Sequence, residues 1–160
     1  MHIFVDSDAC PVKEEIVRVA ERHGLPVTFV GNRWMRGLES PLVNQVVAAE
    51  GLDQADDRIV EQIAEGDVVI TADVPLAARC LALGARGIDH RGRVFDDDSI
   101  GMAVAVRDLM TQLRDGGELT GGPRAYGKQD RSRFLDGLER LIQVMKRHPN
   151  RDASPSSGRP

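Results

Sequence analysis

Scarcity sets the first bounds on this chain. It has two cysteines, Cys10 and Cys80, far apart and in no C-x-x-C pair, which argues against a zinc knuckle, a redox pair or a disulfide framework. One Trp and one Tyr give little material for an aromatic platform of the kind that holds single strands of nucleic acid. No apolar run approaches the ~20 residues that cross a bilayer. The chain enters a strand pattern at once, without a positively charged leader, so the expected compartment is the cytoplasm. A formal charge of −4 speaks against a surface that coats nucleic acid everywhere, and leaves open a local basic rim around an acidic centre.

What is present suffices for one domain with a proper core, expected over residues 1–147. From residue 148 onward Pro, Ser, Gly and Arg dominate, and the expectation is a disordered tail. In the opening stretch, MHIFVDSDACP, the apolar run Ile3, Phe4, Val5 ends in Asp6 and Asp8 just before Pro11. Val12, Ile16, Val19 and Ala20 then recur at helical spacing, and Gly24 with Pro26 closes that helix. VTFVGN, residues 27 to 32, reads as a second strand, and strand, helix, strand implies a parallel pair.

Residues 33 to 42 contain Arg33, Trp34, Met35 and Arg36 and read as a loop on the same edge as Asp6. Two readings stay open there: a substrate-facing flap, or an ordinary loop with Trp34 tucked onto the core. LVNQVVAA reads as a short strand on its Val content. Residues 53 to 66 return to helix, with Ile59, Val60, Ile63 and Ala64 on one face and Asp53, Asp56 and Asp57 in the first turn, where the helix dipole favours acids.

Val68, Val69 and Ile70 form the clearest strand, ending in Thr71, Ala72 and Asp73, and a helix from Pro75 to Gly84 repeats the design of the opening stretch. Cys80 falls on its core face. ARGIDH supplies a fifth strand ending near Asp89, with a turn and short extension in HRGRVF. Asp96, Asp97 and Asp98 precede a helix striped by Met102, Val106, Leu109, Met110 and Leu113, capped by one of the acids or Ser99. The Gly-rich residues 116 to 129, with Arg124, Tyr126 and Lys128, exclude a helix or central strand and read as a phosphate-closing arm or a plain linker. Asp130 is expected to start a last amphipathic helix carrying Phe134, Leu138, Leu141, Ile142 and Met145.

With parallel strands, Asp6, Asp8, Asp73 and Asp89 all fall on the carboxyl edge, where open α/β sheets bind ligands, and Asp56 can join them. Two carboxylates ~4 Å apart repel by roughly 4 kcal/mol at an effective dielectric of 20, so a cluster must protonate, pair with Arg or hold a cation. Oxygen ligands without a His/Cys cluster suit Mg²⁺ or Mn²⁺. For Asp8 the plain alternative is a helix cap. A thiol-phosphatase reading of Cys10 needs an Arg six residues on, where Ile16 stands, so Cys10 reads as packing.

Several spaced motifs carry a resemblance: FVDSDACPVKEEI, ADDRIV at 55 to 60, VITADVPLA at 69 to 77, HRG at 90 to 92, RD at 107 to 108, TGGP at 120 to 123 and DRSRF at 130 to 134. From about residue 2 to about residue 145 the chain resembles the bacterial YaiI/YqxD family. The resemblance implies a three-layer PIN-like α/β domain, a mostly parallel central sheet flanked by helices, and an acidic edge, but no particular reaction. Carried over by residue, it puts Asp6, Asp56 and Asp73 in the metal-binding positions, with Asp8 as a further catalytic acid and Asp89 as a positional candidate for the fourth.

The function expected is a metal-dependent nuclease acting on RNA or another phosphate-containing ligand, with Asn32, Arg33, Arg36, Arg91, Arg124 and Lys128 meeting the substrate. The competing readings are a non-enzymatic, metal-dependent nucleotide or RNA binder and a haloacid-dehalogenase-like phosphatase with an Asp nucleophile. The last lacks its lysine: Lys13, Lys128 and Lys146 are the only ones, and none follows a suitable strand.

Overall fold

The computed structural model of the protein describes residues 1–8, 10–49, 51, 54–101 and 125–147. The order of elements is β1 (Ile3–Asp6), α1 (Lys13–His23), β2 (Val27–Gly31), β3 (Val43–Val47), α2 (Gln54–Gln62), β4 (Val68–Ile70), α3 (Val74–Ala82), β5 (Arg86–Ile88) and β6 (Val94–Phe95). A helical stretch then begins at residue 97, and the last helix, α4, is Lys128–Arg147.

The strands form one sheet in the order β3-β2-β1-β4-β5-β6. β1 to β5 run parallel and β6 returns antiparallel to β5. After β3 the chain crosses back and lays β4 on the other side of β1. The strand order therefore reverses between β1 and β4, and the crevice outside their carboxyl ends is the topological switch point.

Period-two alternation decides which side chain meets which layer. Ile3, Val5, Val27, Phe29, Ile70 and Ile88 pack with Ile16, Val19 and Ala20 of α1 and with Phe134, Leu138 and Ile142 of α4. On the other face Phe4, Val30 and Val69 meet Ile59 and Ile63 beside α2, and Leu76 and Cys80 of α3. Each fully buried Val, Ile, Leu or Phe contributes about 1.5–3 kcal/mol of transfer free energy. The outcome is three layers, helices on both faces of a mostly parallel sheet, consistent with the PIN-like architecture.

Several expectations need correction. Proline does not open α1: the helix starts at Lys13 with Val12 as its N-cap and no side-chain cap. The last helix starts at Lys128, ahead of Asp130, so Lys128 and Gln129 are helical and not part of an arm. The reason is local. The Asp130 carboxylate accepts the Gly127 N–H at 3.0 Å, and an acid at the third helical position reaching back to the cap residue fixes the start upstream of itself. The helix expected to reach residue 66 ends at Gln62, where Asp67 accepts the Ala64 N–H at 2.9 Å and closes a turn. Asp53, Arg124, the stripe from Met102 to Leu113 and the tail from residue 148 lie outside the described residues.

α4 is held at one end by the β5–β6 turn and farther along by α1. Near its start the β5–β6 turn presses on it. Gly92 has φ +88°, and a Cβ there would lie 2.3 Å from the Arg133 carbonyl oxygen. Farther along, Glu139 meets both Arg22 and His23 of α1. Lys146 Nζ lies 3.0 Å from His23 Nδ1, which leaves Nε2–H to donate to Glu139.

Gly92→Ala combines a left-handed backbone with a backbone clash, and should lower unfolding free energy by about 2 kcal/mol or more in urea titration. Hydrogen bonds from Gln143, Arg22 and His23 hold the Glu139 carboxyl down to about 2. A depressed acid stabilises the fold above its unfolded pKa and loses that contribution as pH falls toward the folded value. Stability should therefore decline between about pH 4.5 and about pH 2. Urea unfolding of Glu139→Gln should show a shallower slope across the same window.

Candidate site at the carboxyl edge

β1 and β4 end side by side, and their ends carry Asp6 and Thr71. Thr71 is fully buried. Its hydroxyl donates to Asp6 Oδ2 at 2.9 Å and accepts the Asp73 N–H at 2.9 Å. One hydroxyl proton and one acceptor direction are thus assigned, and Thr71 couples the ends of both strands. Asp73 itself is the N-cap of α3, its Oδ1 accepting the Leu76 N–H at 3.1 Å, with Pro75 in the first turn.

Asp8 does not cap α1. Its Oδ1 accepts the Asn32 N–H at 2.9 Å, linking the exit of β1 to the exit of β2. Beside it the Ser7 hydroxyl donates to the Val30 carbonyl at 3.0 Å. This close approach needs Gly31: a Cβ there would stand 2.3 Å from Ser7 Oγ and 2.5 Å from Asp8 Oδ1.

The three acids share a pattern. Each spends one oxygen on the protein frame: Asp6 Oδ2 on Thr71, Asp8 Oδ1 on Asn32, Asp73 Oδ1 on Leu76. The second oxygen of each has no hydrogen-bond partner among the described residues. Burial pushes the Asp6 carboxyl above its usual range, the Thr71 hydrogen bond opposes this, and the charges of Asp73 and Asp8 push it further up. Both charges acting on Asp6 are therefore negative.

Asp56 is placed differently. It lies in the first turn of α2, and its charge acts on the thiol of Cys80 in α3. Its neighbour Asp57 pairs with Arg79 at 3.0 Å. Asp89 organises the β5–β6 turn, its Oδ1 accepting the N–H groups of Arg91 and Arg93, each at 2.9 Å. Burial raises the Cys10 thiol to about 11 and the Cys80 thiol to about 12, so both are neutral packing residues.

The cations fall into two groups. Arg91 Nε lies 3.3 Å from Asp130 Oδ1, and its guanidinium stands 6.0 Å from the centre of the Tyr126 ring. Tyr126 in turn donates to the His90 carbonyl at 2.8 Å. Arg91 is thus part of a braced wall. Asn32, Arg33 and Arg36 are exposed on the loop after β2, and Lys128 is exposed at the start of α4.

Sequence reasoning misses Thr71, Ser7 and Tyr126. For Thr71 a signal exists, a hydroxyl two positions before the acid at a strand end; for the other two there is none. No three Asp, Glu, His or Cys side chains among the described residues form a ready metal cage. A Mg²⁺-type ion keeps several waters and takes only one or two carboxylates plus substrate phosphate, a demand that the unspent oxygens of Asp6 and Asp73 can meet.

The model of the "Uncharacterized BCR, YaiI/YqxD family" matches residues 4–144. A UPF0178 protein of Rhodopseudomonas palustris (strain HaA2) is 51% identical over 156 residues, covering 97% of this chain and 95% of that protein. One from Parvibaculum lavamentivorans is 56% identical over 147 residues, covering 92% of this chain and 97% of its own. A third, from Agrobacterium fabrum, is 54% identical over 145 residues, with 91% and 95% covered. No solved structure matches the chain. No helix among the described residues is long and apolar enough to cross a membrane. A match over nearly the whole domain, with relatives at half identity or more along almost their full length, places the chain in the YaiI/YqxD family.

Proposed function

We propose that the crevice between β1 and β4 takes a divalent cation, Mg²⁺ or Mn²⁺, and acts with it on phosphodiester bonds of RNA. The observation that carries this reading is the anchoring of Asp6, Asp8 and Asp73, each fixed by one oxygen and unspent at the other. Carboxylates that repel one another at the end of a buried strand are relieved by a proton or by a cation, and the charges of Asp73 and Asp8 beside Asp6 are both negative, which favours a bound cation.

Asp6 Oδ1 and Asp73 Oδ2 are the oxygens that would hold the ion. When bound, such an ion polarises a phosphoryl oxygen and acidifies water. The chain's own residues do the rest. Thr71 fixes the Asp6 carboxylate through Oδ2 and leaves Oδ1 to the ion. Asp8, the exposed member, receives a proton or a hydrogen bond from water at the mouth of the crevice.

Asp73→Asn tests the site without breaking the fold, because Asn caps a helix about as well as Asp. Mn²⁺ titrations followed by electron paramagnetic resonance should show at least roughly tenfold weaker binding in Asp6→Asn and Asp73→Asn, a loss of about 1.4 kcal/mol. Equal binding in Asp6→Asn overturns the site. Wild-type protein that binds Mn²⁺ and leaves single-stranded RNA intact overturns hydrolysis and favours a binding role.

Thr71→Val removes the bridge while keeping the shape, and leaves the half-buried Asp73 N–H without its partner at a cost of about 1 kcal/mol. Its Mn²⁺ affinity should fall, and Thr71→Ser should restore it. A purely structural threonine would change stability alone.

A further inference from the structure

The lone tryptophan of the chain is also its most exposed large apolar side chain among the described residues, 64% accessible. It does not swing on a slack loop. The amide of Gln45, on β3, grips the backbone of the next residue from both sides: Met35 N–H donates to Gln45 Oε1 and Gln45 Nε2 donates to the Met35 carbonyl, each at 2.8 Å. Met35 packs against the core and Leu38 is buried. With the following residue held inward, Trp34 is displayed outward.

Arg33 and Arg36 flank it, both exposed, and neither makes an ion pair or side-chain hydrogen bond among the described residues. Three other surface arginines are engaged, Arg22 with Glu139, Arg79 with Asp57 and Arg131 with Glu15, whereas Arg18, Arg58, Arg133 and Arg140 are exposed like Arg33 and Arg36 but do not flank an exposed indole. The loop also begins at the acidic edge, since Asn32 N–H is the donor to Asp8.

We infer that the anchored loop of Arg33, Trp34 and Arg36 is a binding surface for single-stranded nucleic acid, one base stacking on Trp34 and phosphates meeting the two arginines. The inference rests on the phosphodiester reading above and adds which form of substrate the edge accepts. An indole that the fold could have tucked inward stays in water beside two unpaired cations, the pairing that base and phosphate require together. A duplex hides its base faces in its own stack, and so offers the phosphates without the stacking partner. Charge agrees: in a chain of net charge −4, a polyanion needs a local positive rim to approach the acids.

Because Trp34 is the only tryptophan, intrinsic fluorescence reads the contact directly. In EDTA, where the cation site is silent, a twelve-nucleotide oligouridine should quench it, and the same sequence in a duplex should bind at least about tenfold more weakly. By anisotropy of a labelled oligonucleotide, Trp34→Ala should lose about tenfold in affinity and Trp34→Phe should keep most of it. The double variant Arg33→Ala, Arg36→Ala should flatten the dependence of log Kd on log salt by about 1.4, near 0.7 for each phosphate contact.

Unchanged affinity in Trp34→Ala, or equal affinity for the duplex, overturns the inference. So does a Trp34→Ala variant that shifts the oligomeric state in sedimentation while binding the oligonucleotide normally, which would make the loop a protein contact. Failure in EDTA leaves the Mn²⁺ titration of Asp6 untouched, and failure of that titration leaves this binding intact, so the two readings fall separately.

Discussion

β1 leaves its terminal charge nowhere to go. It is hydrogen-bonded on one side to β2 and on the other to β4 and packed on both faces, with Ile3, Phe4 and Val5 all buried. A strand so enclosed can end in a carboxylate only if something compensates that carboxylate on the spot. The buried Thr71 hydroxyl does part of this, donating to Asp6 while taking the Asp73 N–H. Because the strand order reverses at this point, no strand lies between the two acids, and the crevice stays open above them. The architecture thus concentrates negative charge at the place where the sheet is least able to bury it.

Much of this arrangement is legible in the amino-acid sequence. Apolar runs ending in Asp or Thr mark β1 and β4, Val content marks β3, and right-handed crossovers make the sheet parallel, so the convergence of Asp6 and Asp73 follows. Orientation is not legible. A proline soon after Asp8 suggests a cap, yet the partner of this acid is a backbone amide 24 positions away. The analogy with Asp73 fails on spacing. Asp73 stands directly before α3, whereas α1 waits until Lys13. Asp56 shows the same limit on a helix, since the first turn can be located from sequence but not the direction in which each of its acids points. Its charge bears on Cys80 of α3, a neighbour that the spacing of the helix does not announce. Trp34 faces outward because of Gln45, and nothing in the local sequence announces that a side-chain amide ten residues on will hold the backbone of its neighbour.

Close backbone approaches shape the edge. Gly31 lets Ser7 and Asp8 come within reach of the end of β2, and Gly92 lets the β5–β6 turn sit directly on α4. That second contact carries Arg91 to Asp130 and Tyr126, so the cation nearest the end of β5 has a structural task already. Two kinds of positive charge therefore occur in the loops after β2 and β5. Arg91 is braced against a buried carboxylate and serves the scaffold, while Arg33 and Arg36 stand in solvent with no acidic partner among the described residues.

This division bears on how an acidic crevice could receive a polyanion at all. Phosphate approaching Asp6 and Asp73 meets repulsion, and in water only charges within about a Debye length, roughly 10 Å at 0.1 M salt, can offset it. A cation held between the acids would neutralise the centre, but a neutralised centre exerts no long-range pull on the substrate. The first attraction has to come from the rim. Exposed, unpaired arginines are suited to that, because they lose no existing partner on binding, whereas drawing Arg91 outward would break its ion pair with Asp130, which is almost fully buried. The same reasoning assigns Asp8 a selective role. It lies between the arginine loop and Asp6, exposed, with one oxygen fixed to the backbone of that loop. A phosphate that moves from the rim toward the crevice would meet the charge of Asp8 there, so on the proposed reading the cation has to be in place between Asp6 and Asp73 first.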